Sequence, residues 1–332
     1  VFDKVKSRTR IHIELGKFEQ LKNEGTYIVD IKRNINADTG ELTYSVSILN
    51  HSIPYIRYYF PSQTLVIEVS VPRYLFGDNV HMVKNASDID LFFNKLHNDF
   101  KELLNISIDR NDWIAANRFD VSYNLDISKT GFLIDEWIIH TSQQSIPYKK
   151  NKTVHYENDD KLTGVTFKAS ATSHDKVHFY NKHAEVKQNK YYRDKEDILQ
   201  RAEGMLRIEI VTSPYERDKY SSSKLLSDYL TKDFFVYIMQ KYKINEILHK
   251  KFEQEIDEET FSYHWLKQHM KVYQIETMLG YIKIQNDLEE LARSLYSKST
   301  YDNRIREFNK FQKLLDQQRE TKPIQIDFKN LA

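Results

Sequence analysis

Four short stretches of this 332-residue chain place polar residues of an unusual kind at every second position. Glu68 and Ser70 alternate with Leu65, Ile67 and Val69. Arg118, Asp120, Ser122 and Asn124 alternate with Phe119, Val121 and Tyr123. His178, Tyr180 and Lys182 alternate with Val177 and Phe179, and Arg207 and Glu209 with Ile208 and Ile210. Successive side chains of a β-strand point to opposite faces, so each stretch sends its apolar residues one way and its polar set the other. Strands of this kind in one sheet would gather three carboxylates, two arginines, a lysine, a histidine and a tyrosine on a single face. A half-exposed antiparallel sheet also alternates apolar-in and polar-out, which is the plain alternative. Carboxylates at strand centres repel one another unless a cation or a basic group holds them. Their oxygens are hard ligands, suited to Mg²⁺ or Mn²⁺, and hard cations that bridge carboxylates and phosphate oxygens serve phosphoryl transfer. Tyrosine forms covalent intermediates, but a phenol with a pKa of about 10 needs activation, which Lys182 or a metal could supply.

The elements that must position these residues are legible from periodicity. Up to residue 213 the pattern is mostly period two, in short β-branched and aromatic runs such as Leu42, Tyr44, Val46 and Ile48. One clear helix follows Ser87, with Ile89, Phe92, Phe93, Leu96, Phe100 and Leu103 on one face, and a weaker one covers Ile134 to Ser142. Beyond Pro214 helical spacing takes over through Leu225, Leu230, Phe234, Ile238 and Leu248. No internal repeat and no low-complexity segment is visible. The expected fold is α+β: an antiparallel sheet with packed helices over residues 1–213, then an all-helical segment over 214–332.

Composition narrows the chemistry. Lys and Arg number 49 against 48 Asp and Glu, so this is no polycation that coats nucleic acid indiscriminately. Cysteine is absent, which removes disulfides, thiolate nucleophiles, Cys-ligated zinc and iron–sulfur clusters. Only 8 glycines occur and none forms Gly-x-Gly, which excludes Rossmann and Walker-type phosphate cradles. No run approaches the roughly 18 consecutive apolar residues of a membrane helix. A reducing, bacterial cytoplasm is the expected compartment.

The segment His178-Phe179-Tyr180-Asn181-Lys182-His183-Ala184-Glu185-Val186-Lys187 resembles the Tyr-x-Lys-His-x-Glu segment of rolling-circle replication initiators of the filamentous-phage gene II/X type, relatives of the HUH endonucleases. Three further blocks agree in order. Val66 to Pro72 with Gly77-Asp78-Asn79-Val80 resembles that family's strand and Gly-x-Asn-Val loop. Asn117-Arg118-Phe119-Asp120 resembles its Arg-x-Asp strand, and Gly204 to Glu209 its Arg-x-Glu strand. The resemblance implies an HUH-like domain that nicks one strand at an origin, joins the 5′-phosphate to a tyrosine and leaves a 3′-hydroxyl as primer. It implies Tyr180 as nucleophile and Lys182 as the nearby basic group. The usual His-hydrophobic-His pair is missing, so Glu68, Asp120 and Glu209 become the expected ligands of Mg²⁺ or Mn²⁺. His174, His178, His183 and Glu185 are further candidates, and Tyr191 or Tyr192 is available as a second tyrosine. Origin DNA is the expected partner, contacted by Asn79, Arg118, Lys187 and Arg207, with a host helicase and polymerase downstream and a homodimer as an option.

The tract Lys149 to Lys195 interleaves basic residues with Tyr148, Tyr156, Phe167, Tyr191 and Tyr192, a composition suited to single-stranded DNA. In the helical third, Leu288, Leu291 and Leu295 precede Ser297-Lys298-Ser299-Thr300, and a helix through Ile305, Phe308, Phe311 and Leu314 follows. Ser299 and Asp302 resemble a capping box, and Arg304 and Arg306 would face origin duplex if the pair is a helix-turn-helix; a plain helical hairpin is the alternative. A relaxase acting at a transfer origin and a non-enzymatic origin-binding repressor are the competing functions. Tyrosine recombinases fit poorly, because their site is built on helices and Tyr180 reads as strand.

Overall fold

The computed structural model describes residues 1–35, 39–127, 133–157, 161–249 and 296–319. The first part of the chain forms β1 (Phe2–Arg10), α1 (Leu15–Glu24), β2 (Ile28–Ile35), β3 (Leu42–Leu49), β4 (Tyr55–Tyr59) and β5 (Thr64–Ser70). Next come α2 (Val71–Phe76), α3 (Ala86–Leu104), β6 (Ile114–Asp126), α4 (Ile134–Gln143), β7 (Asn151–Glu157), β8 (Lys161–Lys168) and β9 (Lys176–Asn181). The chain continues through α5 (Lys182–Gln188), α6 (Glu196–Ala202), β10 (Met205–Val211), α7 (Pro214–Tyr220), α8 (Leu226–Tyr229), α9 (Lys232–Lys241) and α10 (Ile244–His249). A last helix, α11, covers Lys298–Arg319. The architecture is α+β, and all ten strands join one antiparallel sheet in the order β2-β3-β4-β5-β1-β6-β10-β9-β8-β7.

That order contains a repeat. β1 lies at the centre, the chain crosses by α1 to the edge strand β2, and β3, β4 and β5 return as a meander to pair with β1. β6 lies beside β1, the chain crosses by α4 to the opposite edge strand β7, and β8, β9 and β10 return to pair with β6. Since β1 and β6 are antiparallel, the two five-strand halves are related by an approximate twofold axis through the sheet. The expectation of no internal repeat is therefore corrected. In sequence the repeat survives as Leu65-Val66-Ile67-Glu68-Val69-Ser70 against Leu206-Arg207-Ile208-Glu209-Ile210-Val211, each followed by a proline-started helix, and as Phe2-Asp3 against Phe119-Asp120.

One face of the sheet is apolar and buried. Val5, Ile67, Val69, Phe119, Val121, Phe179, Ile208 and Ile210 supply it, and α3 lays Phe92, Leu96 and Phe100 into the same core. The helix starts two residues before Ser87, because the Asn85 side chain accepts a hydrogen bond from the Asp88 N–H at 3.0 Å and caps it. The change of period at Pro214 coincides with α7, which Ser213 and Glu216 close with a capping box. Helices α8 to α10 share the sheet's core: Phe234 and Tyr229 pack edge-on to Phe119 at 5.5 and 5.9 Å. No described helix is long and apolar enough to cross a membrane. The other face is polar and is capped at one end by the Gly77–Val80 loop and by α5 and α6, through Val80, Val186, Tyr192, Ile198 and Ala202.

Candidate active site

Strand register decides which polar side chains meet. Arg207 on β10 lies opposite Tyr180 on β9 and Asn124 on β6; Glu209 lies opposite His178 and Ser122; Val211 lies opposite Asp120. Cross-strand partners share a face, so Tyr180, His178, Arg207, Glu209, Asp120 and Asn124 occupy one side of three adjacent strands. Glu68 stands on that side two strands further on, opposite Lys6 of β1. Arg118 ties it in: its guanidinium lies 3.6 Å from Glu68 Oε1 and donates to Asp120 Oδ2 at 2.8 Å. Glu68 is also within 3.7 Å of Lys6 Nζ.

Tyr180 is 9% exposed and its hydroxyl donates to Glu209 Oε2 at 3.3 Å. Burial pushes its pKa well up, Arg207 pulls it down, and Glu209 and Glu185 push it up again. The ring lies against the His178 imidazole, with centroids 4.4 Å apart, and His155 stands 5.3 Å beyond His178. Burial, with Lys176 second, lowers His178 to about 3, so this imidazole is neutral throughout the physiological range. The column has room because residue 164, opposite Tyr180 on β8, is glycine. A Cβ there would stand 2.9 Å from the Phe179 carbonyl oxygen, 3.0 Å from Tyr180 Cβ and 3.1 Å from His178 Nε2. Gly164→Ala is expected to destabilise the fold by about 1–3 kcal/mol, read from denaturant unfolding, because backbone and a packed ring must both give. An unchanged midpoint would show that the column is loose.

Beside the tyrosine, Arg207 is fully buried. It donates to Asp3 on β1, to Asn124 Oδ1 at 3.1 Å and to the Asn79 carbonyl at 3.0 Å. Asp3 also accepts from Ser70 Oγ at 2.6 Å. Burial works to raise the Asp3 pKa, but Arg207 with Ser70 holds it below its ordinary value. Lys182, fully buried at the start of α5, donates to Asn79 Oδ1 at 2.9 Å and to Glu185 Oε2 at 2.5 Å. The expectation that Lys182 acts on the phenol directly is thus modified. The cation opposite the ring is Arg207, while Lys182 ties the Asn79 loop to α5. Asp3, His155 and Gly164 escape sequence reasoning; only the Phe2-Asp3 echo of Phe119-Asp120 could have flagged Asp3.

The remaining expected residues lie elsewhere. His174 is exposed in the loop before β9, and His183 and Lys187 sit on α5, half-buried and exposed. Glu185 is taken by Lys182. Tyr191 and Tyr192 stand in the turn after α5, not in a helix, with the Arg73 guanidinium 4.8 and 5.6 Å from their rings. Arg304 and Arg306 are on α11, and Arg306 donates to Asn303 Oδ1 at 3.0 Å. α11 begins at Ser297, whose carbonyl accepts from the Tyr301 N–H at 2.9 Å, so the first-turn role falls to Ser297 and not to Ser299. Leu288, Leu291 and Leu295 lie outside the described residues.

Among the described residues no three His, Asp or Glu side chains stand together as a metal cage. The expected trio of Glu68, Asp120 and Glu209 is therefore reduced, since Glu68 is held by Lys6 and Arg118. Asp120 and Glu209 remain as neighbours. Burial raises the Asp120 pKa to about 7, the Arg118 hydrogen bond opposes it, and the Glu209 charge adds to the rise. Two oxygen donors that repel each other in a dry place fit a hard divalent ion, which takes its remaining oxygens from phosphate and water.

No curated protein matches the chain at a significant level. A family model described as the N-terminal part of the replication-associated protein of phage gene II matches residues 8–221, well over half of the chain and nearly all of the sheet. The match contains every strand that carries the site apart from the start of β1, and the chain belongs to this family of rolling-circle phage replication initiators.

Proposed function

We propose that the protein starts rolling-circle replication by nicking one strand of its origin, with Tyr180 as the nucleophile that becomes joined to the 5′-phosphate. The observation that carries this reading is the Tyr180 hydroxyl bonded to Glu209 across from a buried arginine, in a chain of this family. Burial keeps the phenol protonated at rest. Glu209, the acceptor of its hydrogen bond, takes the proton as the oxygen attacks phosphorus. Arg207 stabilises the developing phenolate, and the His178 face limits the ring's motion. The P–O3′ bond breaks, the 3′ oxygen leaves and gains a proton, and the phosphate ester is kept as phosphotyrosine. Asp120 and Glu209 would hold Mg²⁺ or Mn²⁺, whose chemistry is to neutralise a non-bridging phosphate oxygen. A helicase and a polymerase of the host would then use the free 3′-hydroxyl. The test is incubation of supercoiled DNA carrying the element's own origin with protein and Mg²⁺ or Mn²⁺. Open circles with a covalent adduct mapped to Tyr180 are expected; origin binding without nicking would favour a repressor.

The same chemistry sets a stability trade at Asp120. Its carboxyl ionises near 3.8 in an unfolded chain and at about 7 in the fold. Between those values the native state binds the extra proton, so stability is fullest below the lower value and falls as pH rises to about 7. Asp120→Asn keeps an acceptor for Arg118 without the buried charge. It is expected to gain about 1–3 kcal/mol at pH near 8 and little at pH near 4, while nicking falls by about 100-fold or more. Urea unfolding at the two pH values checks this; equal changes at both would refute the assignment of a raised pKa.

A further inference from the structure

The repeat gives the site a counterpart in the first half of the sheet, and the residues there are changed in a consistent direction. Glu209 has Glu68 as its equivalent, but the neighbours differ. His178 beside Glu209 is replaced by Tyr55 beside Glu68, Ser122 by Lys6, and Tyr180 beside Arg207 by Arg57 beside Val66. The nucleophile's place is thus held by a guanidinium. Arg57 stands between Tyr55 and Tyr59 on the same face of β4, 5.2 Å from the centre of the Tyr59 ring. Lys6 Nζ lies 4.9 Å from the Tyr55 ring. Among the described residues Arg57 makes no ion pair, and its Nε is buried without a hydrogen-bond partner. Arg8 and Arg10 of β1 add two exposed cations to the same face, against the single carboxylate of Glu68.

We infer that this degenerate half-site is a binding subsite for single-stranded DNA, with Arg57, Lys6 and Arg8 on phosphates and the Tyr55 and Tyr59 rings under bases. The inference deepens the nicking reading and rests on it for the identity of the strand. Cations interleaved with aromatic rings are what a sequence-tolerant single-strand surface requires, since every base has a stacking face and every link a phosphate. Continuity supports the same occupant. β4 and β9 are five strand spacings apart, about 24 Å, and the face between them is bridged by Arg118 from Asp120 to Glu68. One strand could therefore be held on the first half while its scissile phosphate lies at Tyr180.

The probe is a fluorescein-labelled oligothymidylate of about 20 nucleotides, which lacks the origin and takes chemistry out of the measurement. Binding to the full chain is followed by anisotropy over a salt series. Arg57→Gln is expected to weaken binding about 5- to 10-fold and to reduce the slope of log affinity against log salt by about 0.7, the loss of one phosphate contact. Arg57→Lys should keep the slope, and Arg33→Gln, on the opposite face of β2, should change neither quantity. A folded Arg57→Gln protein with wild-type affinity and slope overturns the subsite even if origin DNA still yields the tyrosine adduct. Loss at Arg57 together with no adduct on origin DNA sinks the nicking reading and leaves a strand-binding face.

Discussion

Replacing Tyr180 by phenylalanine is expected to abolish the covalent protein–DNA adduct and to lower origin nicking by about 10⁴-fold or more, the scale seen when a nucleophile is removed from a site that otherwise remains built. The fold should hardly notice. The substitution removes one oxygen and one hydrogen bond of 3.3 Å to Glu209, and keeps the ring that stacks on His178. Stability should move by no more than about 1 kcal/mol, because the hydroxyl's desolvation disappears with its bond. Denaturing gels for the adduct and a thermal melt therefore have to separate: adduct gone, melting point kept. An adduct that persists in Tyr180→Phe would move the chemistry to another tyrosine. Tyr191 and Tyr192 would be the first to test, although Tyr192 is buried and both rings are engaged by Arg73.

Much of this site is legible from period two alone. A strand written Leu-Arg-Ile-Glu-Ile commits Arg207 and Glu209 to one face whatever it pairs with, and the same holds for Arg118 with Asp120 and for His178 with Tyr180. Pairing is what periodicity omits. The order that sets β6 beside β10 and β10 beside β9 brings Glu209 to Tyr180 but leaves Glu68 two strands from Asp120, so an expected trio of ligands becomes a pair. Asp3 is invisible for the same reason: its partner Arg207 lies 204 residues away in sequence. Gly164 reads as an ordinary strand weakness until the ring column above it is known. The repeat is hidden because its two copies have diverged at the positions that do chemistry while keeping Leu-x-Ile-Glu at the positions that build the sheet. The helices were the easier part, since α3 and α4 follow three-and-four spacing and each buries the face so marked.

The largest effect on stability is expected at Arg207→Met, a loss of about 3–5 kcal/mol. Methionine fills the volume and tolerates the site, so the cost is electrostatic. Asp3 would be left buried with Ser70 as its remaining partner, and the Asn79 carbonyl and Asn124 Oδ1 would each lose a donor. The pH dependence identifies the cause. With Arg207 present the Asp3 carboxyl is held below its ordinary value, so its contribution is present above the unfolded pKa of about 3.8 and is lost as pH falls through the native one. Without Arg207, burial alone acts on Asp3 and its pKa rises, so the variant is penalised more at pH near 8 than at pH near 4. Asp3→Asn in the Arg207→Met background should recover part of the loss at the higher pH, a coupling that unrelated packing damage would not produce. A double variant no more stable than Arg207→Met would show that the arginine is held by the Asn79 loop and Asn124, and that the β1–β10 ion pair is incidental. The distinction bears on function because the same guanidinium lies opposite Tyr180. If the pair holds it, the phenol's cation is fixed by the strand that sits on the twofold axis, and the two halves of the sheet are coupled through the site itself.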